Sequence, residues 1–271
     1  MTFHFALLVI ISIFQSIVLR YHIVFPEESV TENKTVIVQI DTRDMSDGST
    51  YWNRTAEINR MYAKRFGYAY VHYKSHVCLT KVAFKPEYFC KPAIIDDLLQ
   101  SYDSVMFLDS DAWFTNFDIS LENFFKYAEE NMYFSFGNTT LGKTFIGMRD
   151  CGPYIVSAAA MFWRKSNQSD EMLDQWKKLA LQYSSHQDYF YEQNSLRGLL
   201  TYISEEFASN SLLISYGIDT WGLPFPDKKC AQMDPVRTYF LDHISRNWPD
   251  RETLYDHLRK FETEIMKWKI N

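Results

Sequence analysis

The stretch that decides the fold reads Ser104-Val105-Met106-Phe107-Leu108-Asp109-Ser110-Asp111-Ala112-Trp113. A continuous apolar run of this length predicts a strand over Ser104–Leu108 that is buried on both faces. Strands of that kind belong to α/β proteins, in which helices cover both sides of a mostly parallel sheet. Ligands bind such sheets at the carboxyl ends of the strands. Here that end carries two carboxylates one residue apart, Asp109 and Asp111. Carboxylate oxygens are hard ligands that suit Mg²⁺ or Mn²⁺. A divalent cation so placed can bridge phosphates and offset the charge on a departing diphosphate. The Asp-x-Asp triplet is common in exposed loops; the apolar run directly before it is what favours a metal.

Outward from this run, strands and helices alternate. Thr35–Ile40 is β-branched and continuous, so it predicts a second buried strand; Asp41 follows it and is a candidate contact for a nucleotide base or ribose. Asn53–Phe66 places Ile58, Met61, Tyr62 and Phe66 on one helical face, with Gly67 as the stop. Tyr68–Tyr73 reads as a strand. Lys91-Pro92 opens a helix, with Pro in the first turn and Ile94, Ile95, Leu98 and Leu99 on the apolar face. Further on, Met132–Phe136 and Tyr154–Trp163 predict strands. Glu171–Tyr183, Glu192–Ile203 and Arg251–Lys267 predict helices. No internal repeat or second domain boundary stands out. The expected organisation is a signal peptide or signal anchor over 1–25, a short stem over 26–34 and a single α/β domain over 35–271.

The composition narrows the function. A formal net charge of -6 without a basic block argues against binding the phosphate backbone of a nucleic acid. The apolar stretch Phe5–Leu19 is short for a membrane span and suits a signal sequence or signal anchor. The cysteines Cys78, Cys90, Cys151 and Cys230 permit two disulfides, for which Cys78–Cys90 and Cys151–Cys230 are the favoured pairs of three possible connectivities. Glycosylation sequons begin at Asn33, Asn53, Asn138 and Asn167. Together these predict the secretory pathway, as a Golgi type II membrane protein or a secreted one.

Several segments, in order, resemble the GT-A-fold glycosyltransferases, nearest to the retaining galactosyl-, mannosyl- and xylosyltransferases of the Golgi. They are Asn59–Tyr68, Lys91–Ile95, Phe107–Ala112, Met161–Ser166 with Leu173–Trp176, Glu192–Leu196, and His243 after Tyr239-Phe240-Leu241. The resemblance implies a Rossmann-like sheet and a nucleotide-sugar donor, a UDP- or GDP-sugar, with a glycan or glycoprotein hydroxyl as acceptor. It implies a metal on Asp109, Asp111 and His243, for which the histidine favours Mn²⁺ over Mg²⁺. It places Lys91 and Ser110 with the donor and Glu192 and Gln193 beside the reacting sugar. One stretch departs from the family: Val156-Ser157-Ala158-Ala159-Ala160 stands where a glycine-containing element is usual. That departure favours the alternative of an inactive sugar- or nucleotide-binding secreted protein. A phosphatase of the haloacid dehalogenase type also carries Asp-x-Asp after a strand, but Trp113 stands where that group has Thr or Val.

Overall fold

The computed structural model describes residues 34–41, 43, 50–74, 90–131, 143–149, 156–183, 191–200, 207, 211–214, 218–219 and 241–243. Its strands are β1 (Thr35–Asp41), β2 (Ala69–Lys74), β3 (Ser104–Asp109), β4 (Ala112–Phe114), β5 (Phe145–Arg149), β6 (Val156–Arg164), β7 (Ser211–Ile214), β8 (Ile218–Asp219) and β9 (Leu241–His243). Its helices are α1 (Tyr51–Phe66), α2 (Lys91–Ser101), α3 (Leu121–Asn131), α4 (Asn167–Tyr183) and α5 (Tyr191–Gly198). The main sheet has the order β2-β1-β3-β6-β5-β7, and β4-β9-β8 forms a small second sheet. In the main sheet β1 runs parallel to β2 and β3, and β5 parallel to β7. Strand β6 alone is reversed, pairing antiparallel with both β3 and β5.

The apolar runs are continuous because both sheet faces are covered. Side chains alternate across a strand, so Ile37, Met106 and Leu108 share one core with Ile58 and Tyr62 of α1 and Phe125 of α3. Val36, Val38, Val105 and Phe107 share the other with Ile95 and Leu99 of α2, Trp176 of α4 and Leu196 of α5. The expected α/β sheet flanked by helices is therefore present.

Helix α1 stops where expected. Gly67 takes φ 72, in the left-handed region, and Gly67 and Tyr68 donate their N–H groups back to the carbonyls of Lys64 and Ala63. Helix α4 starts earlier than the apolar period suggests, at Asn167. Ser166 and Ser169 there cap each other's backbone N–H groups at 2.9 and 3.0 Å, which satisfies donors that an uncapped start leaves open. Helix α5 is regular over Tyr191–Gly198, its chain continues in a wider helical turn at Leu199 and Leu200, and residues 201–203 of the predicted helix lie outside the described residues. Helix α3 and strands β4, β5 and β7–β9 are elements the periodicity does not announce. The predicted strand Met132–Phe136 and helix Arg251–Lys267 lie outside the described residues, as do Cys78, Cys151 and Cys230. Cys90 is buried and has no disulfide partner among the described residues. Among these residues no helix is long and apolar enough to cross a membrane.

Two features bring the site together. In the β1–β3 register Ile40 lies beside Asp109, so Asp41 and the Asp109–Asp111 turn share one sheet edge. In the β3–β6 register Leu108 pairs with Ala160, so the first part of β6, Val156–Ala159, runs past the last paired residue of β3 on that same edge. Gly67→Ala puts a Cβ into a left-handed position and is expected to lower stability by about 1 kcal/mol in urea denaturation, with nucleotide binding unchanged because Gly67 closes the far end of α1.

Candidate active site

The turn between β3 and β4 is held from beneath by buried polar side chains. Gln39 donates through Nε2 to the carbonyl of Asp109 at 3.0 Å and to that of Ala112 at 3.4 Å. Tyr70 fixes the amide by donating its hydroxyl to Gln39 Oε1 at 2.6 Å. The Thr55 hydroxyl donates to the carbonyl of Ser110. Asn59 donates to the Ala112 carbonyl at 2.8 Å and accepts from the Phe114 N–H at 3.1 Å. Gln39, Thr55 and Asn59 are all fully buried. Turn carbonyls that solvent would otherwise solvate are thus paired inside the protein, and the backbone bearing Asp109 and Asp111 has little freedom to move.

From the opposite face comes Lys91, the first residue of α2. Its ammonium lies 2.7 Å from Asp109 Oδ1 and 2.5 Å from Glu192 Oε1, and it donates to the Ala158 carbonyl at 3.1 Å. A lysine has three donors, and all are engaged here. The Phe107 ring lies 5.3 Å below the charge. Burial alone would lower the lysine pKa, but attraction to Asp109 and then Glu192 outweighs it and holds the ammonium above its ordinary value. One cation facing two anions leaves an excess negative charge. Its effect falls on the more buried acid: burial pushes the Glu192 carboxyl up, Lys91 pulls it down and Asp109 raises it again, with a net rise. Asp109 remains more open, with 29% of its side chain exposed against 6% for Glu192. Gln193 follows Glu192 in the first turn of α5 and is half-buried.

At the end of β1 the Asp41 carboxylate is buried and chelated by Arg43, whose N–H, Nε and Nη2 lie 2.7, 2.8 and 2.7 Å from its oxygens. Burial would raise the Asp41 pKa, but these bonds prevail and hold it below the usual carboxylate range. Arg43 also donates to Ser110 Oγ and to the Tyr51 hydroxyl, and lies 4.2 Å from the Trp52 ring centre.

The sequence-predicted site residues therefore fall into two groups at one sheet edge: Lys91, Asp109 and Glu192 in mutual contact, and Asp41 joined to Ser110 through Arg43. Asp111 follows Asp109 and Ser110 in the turn and is half-buried. His243 is the last residue of β9 and pairs with Ala112, one residue from Asp111; its imidazole lies outside the described part. Among the described residues no three His, Cys, Asp or Glu side chains cluster as a metal site. The donor set of two carboxylates at the strand end and a histidine in the adjoining strand register fits a Mn²⁺-type ion.

A family model described as nucleotide-diphospho-sugar transferase matches residues 72–258. The chain belongs to this family. It is a glycosyltransferase of GT-A type. A comparison with curated protein sequences gives no match. Among solved structures the transferase is similar to a glycosyltransferase involved in glycosylation of the major capsid of PBCV-1, at 14% identity and TM-score 0.55, covering 83% of this chain and 98% of that one. It is also similar to the galactosyltransferase LgtC in complex with donor and acceptor sugar analogs, at 11% identity and TM-score 0.50, covering 84% of this chain and 94% of that one. At these identities the likeness concerns the fold.

The sequence reading singles out none of Gln39, Thr55, Asn59, Tyr70 and Arg43 as site residues. Their signals are modest: a glutamine inside an apolar strand, and a Thr/Asn pair four apart on the buried face of α1. The stretch without glycine at Val156–Ala160 is the first half of strand β6, and its contribution is the Ala158 carbonyl.

Replacing Lys91 by Met leaves the carboxylates of Asp109 and Glu192 facing each other without a cation and is expected to cost about 3–5 kcal/mol near neutral pH. The deficit should shrink on acidification. The Glu192 carboxyl is already held above its ordinary value, and losing the Lys91 attraction raises it further, so the variant loses stability as pH rises from the unfolded carboxylate range through that raised folded value. Thermal denaturation of both proteins across that range checks the sign.

Proposed function

We propose that the transferase is metal-dependent and moves a hexosyl or pentosyl unit from a nucleoside-diphosphate donor to a hydroxyl of a glycan or glycoprotein, with retention of anomeric configuration. The observation that carries the reading is the contact of one buried ammonium, Lys91, with both Asp109 and Glu192 at the edge of the sheet. Asp109, Asp111 and His243 would hold the metal, which when bound supplies charge to offset the departing diphosphate.

The residues around it have separable parts. Gln39, Thr55 and Asn59 hold the turn so that Asp109 and Asp111 need little reorganisation when a ligand arrives. Lys91 spends its donors on Asp109, Glu192 and the Ala158 carbonyl, so its part is to hold the two acids together and to keep a positive charge beside the diphosphate end of the site. Glu192, on the other side of Lys91, sets a carboxylate near the reacting sugar, where negative charge favours a cation-like transition state. Gln193 is placed to orient that sugar through its amide. No side chain is assigned as a covalent nucleophile.

The expected compartment is the lumen of the secretory pathway, with membrane attachment through the stretch Phe5–Leu19 where that is kept. Four sequons and four cysteines support this reading.

Donor hydrolysis tests the activity. The protein is offered UDP- and GDP-sugars with Mn²⁺, with acceptor sugars present and absent. Release of nucleotide from one donor is expected, abolished by a chelator, restored by Mn²⁺ and reduced about a hundredfold or more in Asp111→Ala. Turnover that persists in chelator at the full rate would refute metal dependence. A product of opposite anomeric configuration would refute retention.

A further inference from the structure

Two glycosylation sequons fall on described residues, at Asn53 and Asn167, and the fold treats them differently. Asn167 opens α4 and is exposed. It leads the solvent face of the helix: Asp170, Glu171, Asp174 and Lys178 are exposed along the same side, whereas Met172, Leu173 and Trp176 lie in the core. It also lies at the sheet edge opposite the site. Arg164 of β6 pairs with Ser104, the first residue of β3, and Lys165 donates its N–H to the Asp103 carbonyl at 2.9 Å. The length of β3 separates this edge from Asp109, roughly 17 Å at the rise of an extended strand. Asn53, by contrast, is half-buried in the first turn of α1. Its neighbours Tyr51 and Trp52 hold Arg43 at the site edge, and its sequon hydroxyl, Thr55, grips the Asp-Ser-Asp turn. A glycan there would crowd the opening, whereas one on Asn167 stands clear of it.

We infer that the chain carries an N-linked glycan on Asn167, attached before α4 folds. The inference rests on the luminal compartment proposed above. In the attachment the Asn167 amide nitrogen bonds to C1 of the first sugar of a polyprenyl-diphosphate-linked oligosaccharide. The bond from C1 to the diphosphate oxygen breaks, the polyprenyl diphosphate leaves and the amide gives up one proton. The acceptor sequon needs its hydroxyl residue, Ser169, as well as its asparagine. In the folded chain Ser169 is fully buried and its hydroxyl is spent. It donates to the Ser166 carbonyl at 2.7 Å and accepts the Ser166 N–H at 2.9 Å. The asparagine is thus open to solvent while the hydroxyl beside it is closed, so attachment belongs to the chain before this turn forms. Once attached, the glycan displaces no packed group, because the serine cap is made without the Asn167 side chain. A bulky polar modification of this kind suits an exposed position.

The test is peptide mapping of the full chain after expression through the secretory pathway of a eukaryotic cell. Glycans are released by peptide N-glycosidase in heavy-oxygen water, which turns each modified Asn into a labelled Asp. The Asn167 peptide is expected to take up the label, a result that needs no variant. Asn167→Gln is expected to lose one glycan on gels and still fold, since the serine cap is untouched. Ser169→Ala is expected to lose the same glycan, and Ser169→Thr to keep it. The order of events is checked with unmodified full chain made in bacteria, incubated with solubilised oligosaccharyltransferase and its polyprenyl-diphosphate donor. The folded chain is expected to stay unmodified at Asn167, and its chymotryptic digest to be modified there. An Asn167 peptide that stays unlabelled while another sequon is labelled overturns the assignment and leaves the luminal reading standing. A chain labelled at no sequon overturns both. A folded chain modified at Asn167 as readily as its digest overturns the order of attachment and folding.

Discussion

The organisation of the site depends on one lysine shared between two acids. Lys91 is buried, and a lone ammonium there would lose its proton or unfold the region. Asp109 and Glu192 keep it charged, while Lys91 keeps two carboxylates within a hydrogen bond of the same atom. The three residues come from the start of α2, the end of β3 and the first turn of α5. The contact therefore ties separate parts of the chain to one point and places their charges where the sheet opens. Burial and the surplus negative charge together raise the Glu192 carboxyl, while Asp109 is the more exposed of the two acids.

That charge cluster would be of little use on a mobile turn. Gln39, Thr55 and Asn59 grip the backbone of 109–112 from the α1 face while Lys91 grips the Asp109 side chain from the α2 face. The turn is clamped across the thickness of the sheet. This uses fully buried polar groups, each costly if left unpaired, so the scaffold and the site stabilise each other. The charged pair Asp41–Arg43 adds a third attachment at Ser110.

The sheet was legible because burial on both faces leaves a plain mark, the unbroken apolar runs of β1 and β3, and because Gly67 and Pro92 punctuate helices for local reasons. The place of Asp109 and Asp111 at the carboxyl end of β3 was legible because they directly follow such a run. The Lys91–Glu192 contact spans a hundred residues, so no local pattern reveals it; only the resemblance put both residues near the donor. The grip on the turn was hidden for another reason. Its acceptors are backbone carbonyls, identical at every residue, so the sequence shows only three unremarkable polar side chains. Asp41 was correctly placed at the sheet edge, but whether its oxygens were open depended on how the chain two residues later folds against Tyr51 and Trp52. Helix α4 began early because a reciprocal serine cap, a two-residue signal, overrode the apolar period.

Strand β6 is reversed in an otherwise parallel sheet, so its leading residues project past β3 and wall one side of the site. A wall of that kind is made from the same strand that seals the core, unlike one built from a loop. Ala158, Ala159 and Ala160 are small and buried, and a larger side chain there would have to displace sheet neighbours as well as a ligand. Divergence of the site over evolutionary time is thus channelled. The β6 side can accept only changes the core tolerates, and the Arg43 side only changes that leave the buried Asp41 carboxylate a partner.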